Sequence, residues 1–386
     1  MLPEDFRLSF KSYRRLLRSR VYTKNAPKIT INLHVIYIYF ILTNVSACVI
    51  INDDGQHFRQ KLRKVALFRG GYCVLKKIQI FLSTYNGEKY LREQLDSFIS
   101  LENYSDVKVL IRDDGSTDST QAILTEYREN FGFDIIFGEN VGLNESFHVL
   151  MQSADRDCEY FAFSDQDDVW LPNKLTRALN FLTDMNPETP NMYCACSTLT
   201  DDELNPTGHT LIPKKPLSFY NAMVQNVAIG HTQVFNRALL DLLSREFSKD
   251  IVITDHWSYL LASTAGSVTY DVEPTTLYRQ HGSNVIGYGN SFFATLKTRI
   301  RRVFSGKPQE NTRQLQAFLD CYGNDMSPEH KAELEKFLDS QKNVFKRMAY
   351  LFGTRLYRQT GMESLIFRLM YLLGRYRIKT RKETSK

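Results

Sequence analysis

Two tryptophans and six cysteines are all that 386 residues contain of these types. No Cys-x-x-Cys pair occurs, which excludes thioredoxin-type redox chemistry and the common zinc ribbons. Cys48, Cys73, Cys158, Cys194, Cys196 and Cys321 are too sparse for a secreted disulfide scaffold. They read as reduced, apolar thiols, with a cytosolic setting as the default, and the alternation of Cys194 and Cys196 within Met192–Thr198 suits one face of a strand. Neither glycine-rich phosphate loop is present, so backbone amides of that kind do not cradle a phosphate here. Internal repeats, low-complexity tracts and a simple secretory signal are also missing.

What is present has the balance of a globular protein, with 43% hydrophobic and 24% charged residues, which excludes a disordered or fibrous chain. The length suits two or three units, one of them large enough for a substantial core. The net charge of +6 conceals a division. Residues 1–77 carry a net +11, residues 78–340 a net −15, and residues 341–386 a net +10. A nucleic-acid binder concentrates positive charge on its folded core, and this core is acidic. Basic ends on an acidic body suit an enzyme working at an anionic surface.

The ends carry separate signals. Leu33–Ile51 is a mostly apolar run close to a bilayer-spanning length, rich in β-branched and aromatic residues and flanked by basic residues on both sides. Residues 1–75 therefore admit three readings: a membrane anchor, a packed extension, or a disordered or upstream-translated appendage. The last draws on the abrupt onset of domain-like sequence at Lys76-Lys77-Ile78, after Val74-Leu75, since translation can start at codons otherwise read as Val or Leu. Residues 291–340 read as charged, solvated helices. Beyond them Leu365, Ile366, Leu369, Leu372 and Leu373 recur at helical spacing with Arg368 and Arg375 between, followed by Arg377, Lys379, Arg381 and Lys382. A basic amphipathic helix of this kind suits an anionic membrane surface or a core-packed helix with a solvated basic face.

From Ile78 the pattern alternates: strand Ile78–Thr84, helix Glu88–Ser100, strand Val107–Arg112, helix Asp118–Asn130, strand Phe133–Phe137, helix Leu143–Ala154, strand Tyr160–Ser164. This order predicts an α/β fold, an open sheet with helices on both faces and its ligand beyond the carboxyl ends of the strands. Carboxylates stand at those ends. Asp113-Asp114-Gly115-Ser116-Thr117-Asp118 follows the second strand and equally suits a tight turn with helix-capping side chains. Asp165-Gln166-Asp167-Asp168 follows the fourth, and three carboxylates in four residues repel one another unless a cation or donor compensates. Mg²⁺ or a similar hard ion, held by one or two carboxylates and substrate phosphates, meets that need.

The segment Ile80–Gly87, the turn Asp113–Asp118, Phe163–Trp170 (FSDQDDVW), Thr254–Trp257 (TDHW) and Leu277–Gly287 (LYRQHGSNVIG) occur in this order. Together they resemble the bacterial family 2 glycosyltransferases, most of all the rhamnosyltransferase-like members that build capsule and cell-wall polysaccharides. The resemblance implies a GT-A fold over residues 76–290, a Rossmann-like nucleotide-binding half joined to an acceptor half, with a helical basic region over 291–386. It implies a nucleoside-diphosphate sugar bound by Thr84, Tyr85, Asn86, Asp113 and Asp114. Asp165 and Asp167 then hold Mg²⁺ or Mn²⁺, with His281 closing over the diphosphate and touching the metal, while Asp168 and Trp170 support the loop and the donor sugar. Asp255 falls where the family places its catalytic base, and His256 and Trp257 where the acceptor binds. Relatives often read His-Asp-Trp-Trp where this chain has Thr254-Asp255-His256-Trp257, which leaves the acceptor pocket less defined than the base.

The chemistry supports these roles independently. Expelling a nucleoside diphosphate needs charge neutralised on the leaving phosphate, and an acceptor hydroxyl needs a carboxylate to take its proton. One base and one in-line attack invert the anomeric centre. The resemblance also implies a lipid-linked glycan acceptor at the inner face of the cytoplasmic membrane, no nucleic acid, and is compatible with a homo-oligomer. Two other readings compete: a sugar nucleotidyltransferase, whose glycine- and arginine-rich loop is missing from Ser83–Gly87, and a glycan-binding scaffold without turnover.

Overall fold

A computed structural model describes residues 36–41, 46–51, 78–281 and 307–378. The chain divides into two units, Met1–Val74 and Leu75–Lys386. In the first, strand β1 (Ile36–Ile41) pairs antiparallel with β2 (Ser46–Ile51), Ile36 opposite Ile51. The rest of the 1–74 extension lies outside the described residues. Among the described residues no helix is long and apolar enough to cross a membrane.

The second unit is built on a seven-stranded sheet in which β3 (Ile78–Thr84) is an interior strand. On one side of β3 run β4 (Val107–Asp113) and β5 (Asp134–Phe137), both parallel. On the other runs β6 (Tyr160–Ser164), also parallel, followed by the antiparallel β11 (Val234–Asn236). Two further strands, β8 (Asn191–Ala195) and β12 (Ser267–Asp271), complete that edge. The expected βαβαβαβ core is therefore present, and an antiparallel strand extends it.

The period of two along β3 decides which face each side chain covers. Ile78, Ile80 and Leu82 pack with Leu91, Leu95 and Phe98 of helix α1 (Leu91–Ile99) and with Ile123 and Leu124 of α2 (Thr120–Phe131). Phe81 turns to the opposite layer, where it meets Phe147 and Leu150 of α3 (Leu143–Gln152). Full burial of each such side chain contributes roughly 1.5–3 kcal/mol. Helices thus cover both faces, and the carboxyl edge of the parallel strands is left for ligands.

A second, four-stranded sheet pins that edge. Its strands are β7 (Val169–Trp170), β9 (Thr198–Thr200), β10 (Pro206–His209) and β13 (Thr276–Arg279). Because β7 pairs with β13, the Asp165–Asp168 loop is clamped between two sheets. Strand β8 ends at Ala195, so Cys194 and Cys196 do not share a strand face, although both are buried thiols.

The C-terminal helices are α8 (Lys307–Tyr322), α9 (Pro328–Ser340), α10 (Val344–Gly353) and α11 (Gly361–Leu372). The sequence suggested solvated helices over 291–340. Instead Leu315, Phe318, Tyr322, Leu334 and Phe337 are fully buried in the main core. The periodicity of α8 and α9 is apolar enough to bury one face, and Trp257 supplies the surface that Phe318 and Tyr322 pack on. Residues 291–306 lie outside the described residues, as do 379–386 of the basic tail.

Candidate active site

Helix α7 (Thr254–Ala265) opens with its first acidic residue, Asp255, directed at the carboxyl edge of the sheet. Across from it stand the ends of β4 and β6. Asp114, Asp165, Asp167 and Asp255 border one cleft of about 490 Å³, together with Tyr85 and Tyr278. Segments far apart in the chain thus deliver four carboxylates to one space.

A hydrogen-bonded lattice adjoins the cleft; its Tyr85 and Gln166 border the cleft, whereas Thr84 and Asn86, expected at the nucleotide, do not. Thr84 Oγ1 donates to Gln166 Oε1 at 2.6 Å, and Tyr85 N–H to the same oxygen at 3.0 Å. Gly87 fits beside this contact because a Cβ there would lie 2.6 Å from Gln166 Oε1. Asn86 adopts a left-handed φ of 47°, and its Oδ1 accepts the Thr117 N–H at 2.8 Å, tying the first strand's end to the Asp113–Asp118 turn. Asn tolerates that conformation better than most residues because its short amide bonds locally.

Asp113 and Asp114 diverge. Asp113 is fully buried and accepts bonds from Ser116 N–H and Gln121 Nε2, so it organises the turn and does not border the cleft. Asp114 forms a buried ion pair with Arg112, and its two oxygens accept the N–H groups of Val141 and Gly142, each at 2.9 Å. The Asp114 carboxyl is thereby fixed in position in the cleft wall.

The Asp165–Asp168 loop separates likewise. Asp165 and Asp167 face the cleft. Asp168 is buried, and burial, then the charges of Asp167 and Asp165, pushes its pKa well above the usual carboxylate range. Asp167 is raised for the same reasons, against a 2.8 Å contact with His281 Nε2 that favours its ionised form. His281 also stacks on Tyr90, ring centroids 5.0 Å apart.

Behind the loop lies His231, for which the motifs gave no signal. Its Nδ1 stands 3.4 Å from Asp168 Oδ2 and 3.5 Å from Asp165 Oδ2, and its Nε2 lies 2.8 Å from Ser197 Oγ. Lys174 donates to the His231 carbonyl and to Thr276 Oγ1, and burial brings its pKa down to about 7. Gln166 was also missed, although it lies between two motif aspartates.

Asp165, Asp168 and His231 bring ligand atoms within 4.8 Å of one another, and Asp168 Oδ2 and His231 Nδ1 are buried without a hydrogen bond. Asp165 and Asp167, with His281 at the margin, give a second arrangement of oxygen and imidazole donors, open to the cleft. Both donor sets fit a divalent cation of the Mg²⁺ or Mn²⁺ kind.

Asp255 is anchored through its Oδ2, with the Asn226 side chain beside it. Its Oδ2 accepts the Gly230 N–H at 2.9 Å, while Oδ1 is buried with no partner. Burial pushes its pKa up to about 7; the Gly230 N–H acts in the opposite direction and the Asp165 charge adds to the rise. A carboxyl that titrates near neutrality is poised to take a proton.

Three expected contacts are placed elsewhere. Trp170 is buried edge-on against Phe98, beneath the cleft rather than on it. His256 points away from Asp255, its Nε2 2.7 Å from the Ala222 carbonyl and its Nδ1 3.1 Å from Gln314 Nε2. Trp257 packs on Phe318 and Tyr322. Thus neither His256 nor Trp257 borders the cleft; successive helical residues diverge by about 100°, so only Asp255 of this trio faces it.

An α/β sheet whose carboxyl edge gathers aspartates around a ligand-sized cleft places a candidate enzyme site where such sheets bind their ligands. Residues 79–243 match the glycosyl transferase family 2 pattern. The dTDP-rhamnosyl transferase RfbG of Shigella flexneri is 30% identical over 230 residues, covering 56% of this chain and 77% of that protein. The chain therefore belongs to glycosyl transferase family 2 and is a rhamnosyltransferase-like glycosyltransferase with the GT-A fold. An uncharacterized glycosyltransferase of Rickettsia prowazekii is 27% identical over 143 residues, covering 37% of this chain and 39% of that one. Among solved structures, Staphylococcus aureus TarS 1–349 in complex with UDP-GlcNAc overlays with a TM-score of 0.49 and 18% identity, covering 72% of this chain and 76% of that chain.

Proposed function

We propose that this glycosyltransferase inverts the anomeric centre of a sugar, rhamnose in the first instance, taken from a nucleoside diphosphate and placed on a hydroxyl of a lipid-linked surface polysaccharide at the inner face of the cytoplasmic membrane. The observation that carries the reading is Asp255, a buried carboxyl with one unpartnered oxygen, on the same cleft as Asp165 and Asp167. The rhamnosyl donor rests on the likeness to RfbG.

In this mechanism Asp114, Tyr85 and the Gln166-braced strand end hold the nucleotide. Asp165 and Asp167, with His281, would hold Mg²⁺ or Mn²⁺, and a bound cation would supply positive charge to offset that of the leaving diphosphate. Asp168, His231 and Lys174 support that loop from behind. The Gly230 N–H fixes the Asp255 carboxylate through Oδ2, and that carboxylate receives the acceptor proton as the hydroxyl attacks the sugar carbon and the diphosphate leaves. A single carboxylate base facing the acceptor, with no covalent sugar–enzyme intermediate, gives inversion.

The test is to incubate the full chain with Mn²⁺ and a panel of nucleotide sugars and measure nucleoside diphosphate release. Release from dTDP-rhamnose above that from UDP-hexoses is expected. A strict preference for a UDP-hexose overturns the rhamnosyl assignment, and metal-independent release overturns the cation role.

A further inference from the structure

Helix α11 is apolar on two faces. Phe367, Met370 and Tyr371 pack into the core, while Leu365 and Leu369 stand exposed on another face, with Leu373 just beyond the helix's end. Helix α10 likewise exposes Phe345, Met348 and Phe352, with Tyr350 and Leu351 partly buried against the core. Phe345 is 79% exposed, Phe352 89% and Leu365 62%, values far beyond scattered surface apolar residues. Arg368 Nη1 donates to the Leu351 carbonyl at 3.1 Å, and Arg347 Nε to the Leu372 carbonyl at 3.0 Å, so the two helices are joined. A helix that is apolar around most of its circumference is covered on more than one side.

Charge selects what covers it. Residues 341–378 contain eight Lys and Arg against one Glu; Lys342 and Lys346 share Asp339 and Arg355 pairs with Glu329, and Arg368, Arg375 and Arg377 add further exposed positive charge. A second copy joined about a two-fold axis would set this positive charge against itself. An anionic bilayer supplies both the apolar depth and the opposite charge.

The face is also coupled to the acceptor side. Gln359 N–H, between α10 and α11, donates to Gln225 Oε1 at 2.8 Å, and Gln225 Nε2 donates to Glu363 Oε2 at 3.3 Å. The next residue, Asn226, stands beside Asp255 and favours its ionised form. We infer that α10 and α11 together form a docking face that seats Phe345, Phe352, Leu365 and Leu369 in the headgroup region of an anionic membrane, holding the Asp255 side of the cleft toward a lipid-borne acceptor. For its purpose this rests on the proposed lipid-linked acceptor, and nucleotide-sugar turnover in solution tests that enzyme reading separately.

The experiment is co-sedimentation of the full chain with vesicles rich in phosphatidylglycerol and with vesicles of phosphatidylcholine alone, alongside sedimentation velocity without lipid. The wild type is expected to bind the anionic vesicles, less at high salt, and to bind phosphatidylcholine weakly. The combined variant Phe352→Ser, Leu365→Ser, Leu369→Ser is expected to lose at least about tenfold in partitioning, given the apolar area it removes. Its donor turnover in solution should be unchanged. Should that variant fold poorly, Arg375→Glu with Arg377→Glu serves instead and is expected to weaken anionic binding alone. Equal binding to both vesicle types, undiminished binding of the variants, or a dimer that the apolar variant dissolves would each overturn the membrane assignment.

Discussion

Replacing Asp255 by Asn separates the carboxyl's chemical role from its cost to the fold. Burial lifts this group from an ordinary 3.8 to about 7. At 1.36 kcal/mol per pKa unit, keeping it ionised inside the protein costs about 4 kcal/mol once the pH is above 7. Because the folded value is raised, the stability associated with the neutral form is fully present below about 3.8 and is lost as the pH rises through about 7. Asn is neutral throughout and still offers an oxygen to the Gly230 N–H. Its amide, however, enters the place of Oδ1, which has no partner, at about 1–3 kcal/mol. Relative to the parent, the variant should be no more stable at about pH 4.5 and more stable by about 1–3 kcal/mol at about pH 8, a swing of about 3 kcal/mol across that range. Urea unfolding of both proteins in the presence of a chelator measures it. In the same variant, transfer should fall at least about 10²-fold, and parent kcat/KM should climb through about pH 7 as the base ionises. A stability difference that does not change with pH would refute the buried-carboxyl reasoning; near-parent transfer would remove Asp255 from the base role.

Asp167→Asn removes one hard oxygen ligand at constant volume, so Mn²⁺-dependent donor binding should be lost with the melting temperature retained; calorimetry that finds unchanged metal-dependent binding would shift the ion to the Asp165, Asp168 and His231 group. Arg112→Met strands Asp114 as a buried, unpaired charge and should destabilise the protein by about 3–5 kcal/mol in denaturant unfolding. By contrast, Arg92→Ala breaks an exposed pair with Glu126 and should leave stability nearly unchanged, so similar losses in the two variants would contradict the burial argument.

The central sheet was legible because its signal is local. The strand Ile78–Thr84 is a short apolar run, the helices after it carry 3.6-residue stripes, and both periodicities follow from backbone geometry alone. The boundaries moved by a few residues where side chains left the helix for other work. Asp118, expected to begin a helix, instead accepts the Glu88 N–H across the turn, and the helix starts at Thr120. The carboxylates at the ends of β4 and β6 were legible too, since a parallel α/β sheet leaves only that edge for ligands.

Residue type and order along the chain therefore determined the α/β class, the family resemblance and the short list of acidic residues. Which of those acids meet in one cleft was settled by folding. Asp113 and Asp114 are neighbours, yet at a strand's end one turns inward to Ser116 while the other turns to the cleft. Asp255, His256 and Trp257 are contiguous, yet the helix rotates the last two into packing with Ala222 and Phe318. His231 carries no motif and becomes part of the site only because β11 and the small sheet bring it behind Asp165 and Asp168. The acidity of Asp255 has the same origin: a free aspartate is fully hydrated, and the walls that exclude water from this one come from segments distant in the chain, so its displacement toward neutrality exists only in the folded protein.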